Sequence, residues 1–270
     1  MKLFREIAAY REWRRRQEAK DRSIGFVPTL GALHLGHRFL MDRAREENDR
    51  VVVSIYKNPS QFNDPEDLEN YPDVEEVDLE VCQECGVDAV FAPAGDALYP
   101  DDYQFRIVET EVSRQMEGIQ RPGHFEGVLT VVLKLLLITN PHRVYFGKKD
   151  YQQLLLVQRL VKAFFLEVEV VPCVTIRDGD GLAFSSRNAL LNPRERERAA
   201  LFPQILKGAR SPEEARRQLL LNGFGVDYVE VWEGRILGAV CIGKVRLIDN
   251  FPYQGMDLEV TPASAGEEER

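Results

Sequence analysis

The chain has 270 residues, 44% hydrophobic and 29% charged, with a formal net charge of −9 at pH 7. That is enough for one large or two modest soluble domains, and the acidic balance argues against a general nucleic-acid surface. No apolar run approaches the roughly 20 residues of a membrane span, and the start, Met1 to Glu6, has no signal-peptide core, so a cytoplasmic protein without a membrane partner is expected.

Taken in chain order, the charged run Arg11–Arg16 reads as a solvated helix face. Ile24–Val27 reads as a short buried strand that breaks at Pro28, and an amphipathic pattern resumes at Arg38 and runs to Asn48. Between them lies Pro28-Thr29-Leu30-Gly31-Ala32-Leu33-His34-Leu35-Gly36-His37, which holds two of the four histidines in the chain. Two imidazoles three residues apart at a strand-to-helix turn share one face, and free backbone N–H groups with the positive dipole end favour an anion. Gly31 and Gly36 would let a flat or phosphorylated ligand approach the backbone. No acidic or cysteine partner lies nearby to complete a zinc site, so phosphate is the better match.

Further strands are predicted at Val51–Tyr56, Asp88–Phe91, Arg143–Phe146 and Val168–Val174, with helices at Val74–Cys85, Phe125–Thr139 and Asp150–Phe164. That alternation predicts an α/β fold: a Rossmann-like, doubly wound, mainly parallel sheet over residues 1–174. Ligands sit beyond the carboxyl ends of such strands. Asn58-Pro59-Ser60-Gln61 and Gly147-Lys148-Lys149-Asp150 occupy two more of those ends. Either lysine could neutralise phosphate and Asp150 could take ribose hydroxyls, although Asp150 would also serve as a plain helix cap. Cys82 and Cys85 form a CxxC on a helix and read as small buried apolar residues, with no metal site from cysteine.

After about Thr175 the texture becomes turn-rich. Ser185-Ser186-Arg187-Asn188 offers hydroxyls and a guanidinium fork for phosphate, or else an ordinary helix start. Asn192-Pro193 caps a helix from Arg194 to about Lys207, Ser211-Pro212 opens another, and Val226–Trp232, Ala239–Ile242 and Val245–Ile248 read as strands. Residues 175–270 are therefore predicted to form a second, smaller α+β domain, ending in a disordered tail at Gly266–Arg270.

Five stretches in register carry a resemblance: Val27–His37, Ser54–Phe62, Arg121–Val128, Phe146–Gln153 and Asp180–Asn188, with weaker similarity at Val226–Tyr228 and Arg246–Asn250. Together they resemble the pantoate–beta-alanine ligase family. The resemblance implies a two-step ligase: pantoate attacks the α-phosphorus of ATP to give pantoyl adenylate and pyrophosphate, and beta-alanine then displaces AMP. It also implies Mg2+ and a homodimer. The positions matching His34 and His37 meet the ATP phosphates, as do those of Lys149, Ser185, Ser186 and Arg187. His34, His37, Lys149 and Arg187 are therefore the expected catalytic residues. Gly147 and Asp150 face the ribose, and Ile176 lies against the adenine. Leu30, Gly31, Ala32, Leu33, Leu35, Gly36, Lys148 and Phe184 complete the expected ATP-binding set, while Gln61 and Gln153 bind pantoate. The metal ligands and the proton acceptor for beta-alanine stay unassigned.

This chemistry needs little from a general base, since the pantoate carboxyl is already ionised at neutral pH. It needs two anions brought together and charge neutralised as pyrophosphate leaves, which histidines, lysine, arginine, helix N-termini and a metal ion would supply. Leu30, Leu35, Lys57 and Lys148 depart from the residues usual in the family. The helix Phe125–Thr139 could wall the pantoate methyl groups, and Phe62–Tyr71 could close over substrates. A nucleotidyltransferase acting on a phosphorylated cofactor precursor is the alternative, and a nucleotide-binding regulatory module is a third reading. The first leaves Gln61, Gln153 and Arg121–Phe125 without a purpose, and the phosphate-facing set disfavours the second.

Overall fold

The computed structural model describes residues 1–253. Strands β1 (Lys2–Phe4), β2 (Ile24–Thr29), β3 (Arg50–Ile55), β4 (Ala89–Phe91), β5 (Arg143–Gly147) and β6 (Glu169–Cys173) form one parallel sheet, in the order β1-β4-β3-β2-β5-β6. From β2 the chain winds outward through β3 to β4, then crosses back to place β5 on the other side of β2. The strand order reverses between β2 and β5, and that reversal is where an open α/β sheet leaves a crevice at its carboxyl edge.

The helices of this half are α1 (Ile7–Glu18), α2 (Leu35–Glu47), α3 (Pro65–Glu69), α4 (Glu75–Glu84), α5 (Gly95–Leu98), α6 (Glu117–Gln120), α7 (His124–Thr139) and α8 (Tyr151–Ala163). Alternation along the strands sends successive side chains to opposite faces. Ile24, Phe26 and Val52 pack with Tyr10 of α1, Leu129 of α7 and Leu156 of α8. Val27, Val51 and Val53 pack with Met41 and Ala44 of α2 and Cys82 of α4. Each such buried side chain contributes roughly 1.5–3 kcal/mol. The two faces explain why α7 is apolar nearly all round while α2 is amphipathic.

The second unit holds α9 (Pro193–Ala199), α10 (Leu201–Gly208) and α11 (Pro212–Leu221) against an antiparallel sheet of β7 (Gly225–Trp232), β8 (Arg235–Ile242) and β9 (Val245–Pro252). Phe202, Leu206, Leu219, Ile236 and Val240 form its separate core. The predicted α/β architecture with a smaller α+β unit is what the chain adopts.

Three local expectations are corrected. Strand β2 does not break at Pro28 but continues to Thr29. The Ile24 carbonyl accepts from His142 N–H, so Ile24, Phe26 and Pro28 face β5, and that ladder ends at Phe26. The missing donor of Pro28 therefore falls where there is no partner to lose. Helix α2 starts at Leu35, three residues early, because His34 and His37 cap it. The helix expected over Arg194–Lys207 is split at Ala200. Strand β1 was not anticipated, since three residues carry no period. The predicted tail at Gly266–Arg270 lies outside the described residues.

Candidate active site

The loop after β2 is built from the inside. Thr29 Oγ1 donates to the Ser54 carbonyl at 2.7 Å and accepts from Gly31 N–H at 3.2 Å, turning the chain off the sheet. Gly31 has φ +89°, a left-handed conformation that glycine adopts at little cost. The buried Asp78 carboxylate, from α4, accepts from Ala32 N–H at 2.8 Å and Leu33 N–H at 2.7 Å. Burial pushes the Asp78 carboxyl up, although both backbone bonds pull against it. Tyr71 O–H donates to the Gly31 carbonyl at 3.2 Å.

The two imidazoles then cap α2 reciprocally. Gly36 N–H donates to His34 Nδ1 at 3.1 Å, and His34 N–H donates to His37 Nδ1 at 3.2 Å, with ring centroids 4.1 Å apart. A Cβ on Gly36 would lie 2.8 Å from the His34 ring, so this glycine makes room for the imidazole and not for a ligand. Because both Nδ1 atoms accept, the free ring donor of each histidine is Nε2–H. Burial, reinforced by Lys149, lowers the His34 pKa to about 4. Burial, with His34 and Lys149, lowers His37 to about 3. Both imidazoles are thus neutral at pH 7. This corrects two expectations: the histidines bring hydrogen bonds and not charge, and the loop N–H groups of residues 31–34 and 36 are spent internally.

Across the crevice, β5 ends at Gly147 and a 3-10 turn, Lys148–Asp150, leads into α8. Asp150 makes no side-chain capping bond to α8, so the plain-cap reading of that residue does not hold. Its carboxylate lies 3.8 Å from Lys149 Nζ. Ser185 caps a short 3-10 helix, Ser186–Leu190, accepting from Arg187 N–H at 3.3 Å. The ordinary helix start is therefore real, and it leaves the Ser185 O–H free to donate. Arg187 pairs with Asp67 of α3 at 2.8 Å.

The third wall comes from the loop after β3 and from α7. A Cβ on Gly127 would meet the Ser60 carbonyl at 2.3 Å and Gln61 N at 2.6 Å. That contact lets α7 lie directly on the Gln61 loop. Asn58, fully buried, donates to Gln61 Oε1 and to the Gly127 carbonyl, both at 3.2 Å. His124 Nδ1 lies 2.8 Å from the Gln61 carbonyl, and Arg121 sits 3.2 Å from His124 Nε2. Burial and then Arg121 lower His124 to about 4, and burial lowers the Arg121 guanidinium from its ordinary value. The neighbouring glutamines of α8 divide their work. Gln152 is a buried strut bonded to the carbonyls of Val112 and Gln115, whereas Gln153 lines the cleft.

These walls enclose a cavity of about 250 Å³ between β2 and β5. From the expected ATP-binding set it is lined by Leu30, His34, Gly36, His37, Gly147, Lys149, Asp150, Ile176, Phe184, Ser185, Ser186 and Arg187, and both Gln61 and Gln153 line it. Val128, Val131, Val132 and Leu135 of α7 add the apolar wall. Gly31, Ala32, Leu33, Leu35 and Lys148 are not brought there. Ala32 and Leu33 are held by Asp78 and Leu35 is exposed, and of the two lysines it is Lys149 that lines the cleft. Lys57 donates to the Tyr71 carbonyl at 2.9 Å and so fastens the segment Phe62–Tyr71 beside the mouth. A second cavity of about 360 Å³ opens toward the C-terminal sheet and shares Arg121, His124, Lys149, Asp150, Gln153, Ser185 and Arg187. Asp78, Tyr71, Asn58, Arg121 and His124 were not assigned from sequence. The available signal for Asp78 was its spacing of four residues from Cys82 along α4.

Comparison with known proteins gives one answer. The family described as pantoate-beta-alanine ligase matches residues 2–252. A pantothenate synthetase of Bdellovibrio bacteriovorus is 46% identical over 248 residues, covering 92% of this chain and 98% of the relative. One from Aquifex aeolicus is 43% identical, covering 93% and 99%. A crystal structure of pantoate-beta-alanine ligase from Francisella tularensis, complexed with beta-gamma ATP and beta-alanine, superposes with a TM-score of 0.88 at 42% identity, covering 93% of this chain and 97% of that one.

Proposed function

This chain belongs to the pantoate-beta-alanine ligase family, and from that premise we propose how its cleft joins pantoate to beta-alanine with ATP. Pantoate lies between Gln61 and Gln153, its methyl groups against Val128, Val131 and Val132. The nucleotide occupies the crevice between β2 and β5, with the adenine at Ile176 and the ribose at Gly147 and Asp150. Its phosphates meet His34, His37, Lys149, Ser185, Ser186 and Arg187. One pantoate carboxylate oxygen attacks the α-phosphorus, the bond to the bridging oxygen breaks, and pyrophosphate leaves. The neutral amine of beta-alanine then attacks the acyl carbon, the acyl C–O bond to AMP breaks, AMP leaves, and the nitrogen gives up its extra proton to water.

The observation that carries this reading is convergence: neutral Nε2–H donors, one lysine and one arginine line a single cavity with both glutamines. Lys149 and Arg187 neutralise charge developing on the leaving group, and the imidazoles orient it without adding charge. Among the described residues no group of three or more His, Cys, Asp or Glu side chains converges on an ion position. Magnesium is read as arriving with the triphosphate, and Asp150 is the carboxylate of this cavity that would share it. When bound it would neutralise phosphate charge.

Three further parts of the reading are proposals. Residues 1–174 and 175–270 are taken as two domains, supported by their separate cores. A cytoplasmic location is supported by four free cysteines, three of them buried; no described helix is long and apolar enough to cross a membrane. A homodimer is supported by exposed Phe105 and Val108 on one extended stretch, and sedimentation would detect it.

The test of the reaction is order. With ATP, magnesium and pantoate alone, the protein should release one pyrophosphate per active site before beta-alanine is added. Pyrophosphate exchange that ignores pantoate would overturn the reading in favour of a nucleotidyltransferase.

A further inference from the structure

We propose that Asn250, on β9 of the C-terminal sheet, is a positioning residue for Lys149, so that this sheet sets the geometry of phosphate binding in the other half of the molecule. The inference rests on the reading that Lys149 holds the ATP phosphates.

Asn250 is 2% exposed and every polar atom of its side chain is engaged. Its Nδ2 donates to the carbonyls of both Lys148 and Lys149, each at 2.9 Å. Its Oδ1 accepts from Arg235 Nε at 2.6 Å, and that guanidinium lies 4.9 Å over the ring of Tyr151, the first residue of α8. The preceding residue does the same for the opposite lip. Asp249, 3% exposed, forks to Arg177 at 2.6 and 2.8 Å and accepts from Asn250 N–H at 2.8 Å. Arg177 follows Ile176 of the cleft. Two consecutive residues of one strand thus seat two of the segments that line the cleft, Lys148–Lys149 and Ile176–Arg177.

The chemistry needs an amide. Each carbonyl oxygen of the 3-10 turn has a second lone pair beyond the one turned toward the helix, and the planar Asn NH2 on its short stem offers one hydrogen to each of the two adjacent carbonyls. Releasing them frees the turn to rotate, and with it the direction of the Lys149 side chain. A displacement near 1 Å in a reacting constellation costs on the order of 10²-fold in rate.

A double-mutant cycle on the full chain tests this, read by ATP affinity in calorimetry and by pantoate-dependent pyrophosphate exchange. Asn250→Ala should weaken ATP use roughly 10- to 100-fold while pantoate KM stays within about two-fold. In a Lys149→Ala background the same change should cost less than about two-fold, because the residue it positions is gone. Asn250→Asp keeps the shape and the acceptor for Arg235 but loses both donors, so it should match Asn250→Ala and decides the cycle alone if the alanine variant does not fold. Equal losses in both backgrounds, or a pantoate KM rising with that of ATP, would overturn the positioning role and leave the proposed function intact. Unchanged ATP affinity and exchange in Lys149→Ala itself would overturn both this inference and the phosphate role of Lys149.

Discussion

The two walls of the nucleotide crevice are made on opposite terms. On the β2 side, the histidine loop satisfies itself: Asp78, Thr29 and the two Nδ1 atoms take its backbone donors, and both imidazoles are neutral. On the β5 side, the groups are charged and engaged with carboxylates, Arg187 with Asp67 at 2.8 Å and Lys149 near Asp150 at 3.8 Å. The first wall is fixed in shape and adds no charge. The second carries the charge, and in the proposed function its carboxylate partners would give way to phosphate. Preorganisation and neutralisation are thus assigned to different strands.

Removing the charge should give the largest effect. Lys149→Ala is expected to slow adenylation roughly 10²- to 10³-fold in pyrophosphate exchange with an unchanged circular dichroism spectrum. His37→Asn dissects the neutral wall, because the Asn Oδ1 can replace Nδ1 in the cap while nothing replaces Nε2–H. Its exchange rate should fall about 10²-fold with little change in melting temperature, whereas His37→Ala should lose both. If the asparagine variant melted like the alanine one, the separation of cap from phosphate contact would be wrong. Asp78→Asn attacks the shape of that wall from behind. It turns one acceptor into a donor facing a buried N–H, and urea unfolding should show a loss of about 1–3 kcal/mol.

Acid offers a softer way to break the comparison. The pKa values of His34, His37 and His124 lie below the ordinary 6.5 in the folded chain, so between 6.5 and about 4 the unfolded state binds more protons. Stability contributed by these groups is complete above 6.5 and declines as the pH falls through that window. Melting curves from pH 7 to 4.5 should show the decline, and His124→Gln should flatten it. Adenylation itself should show no ionisation near 6.5; a limb there would mean the imidazoles work as cations. Smallest of all, Asp67→Asn should free Arg187 and lower the ATP KM two- to five-fold, the scale of a partly exposed ion pair. A raised KM would show that Asp67 orients Arg187 and does not compete for it.

How much of this could be read from sequence follows the same division. Periods of two and 3.6 residues exposed the strands and helices of the parallel sheet, and histidines, lysine and glycines at strand ends marked the rim. Those signals are local. Asp78 reads as one more acid among Glu75, Glu76 and Glu80, yet its partners lie 45 and 46 residues away. Arg246 bonds Glu117 across 129 residues, and Asn250 reaches Lys149 across 101. Burial also decided the charge of the histidines, which no spacing reveals. Loop chemistry was legible; what holds the loops was not.

One feature of β2 has a geometric corollary. Its ladder to β5 ends at Phe26, and Pro28, Thr29, Phe146 and Gly147 border the slit beyond that point. In the proposed function the nucleotide would meet an aperture already open in the sheet, not one it must pry apart.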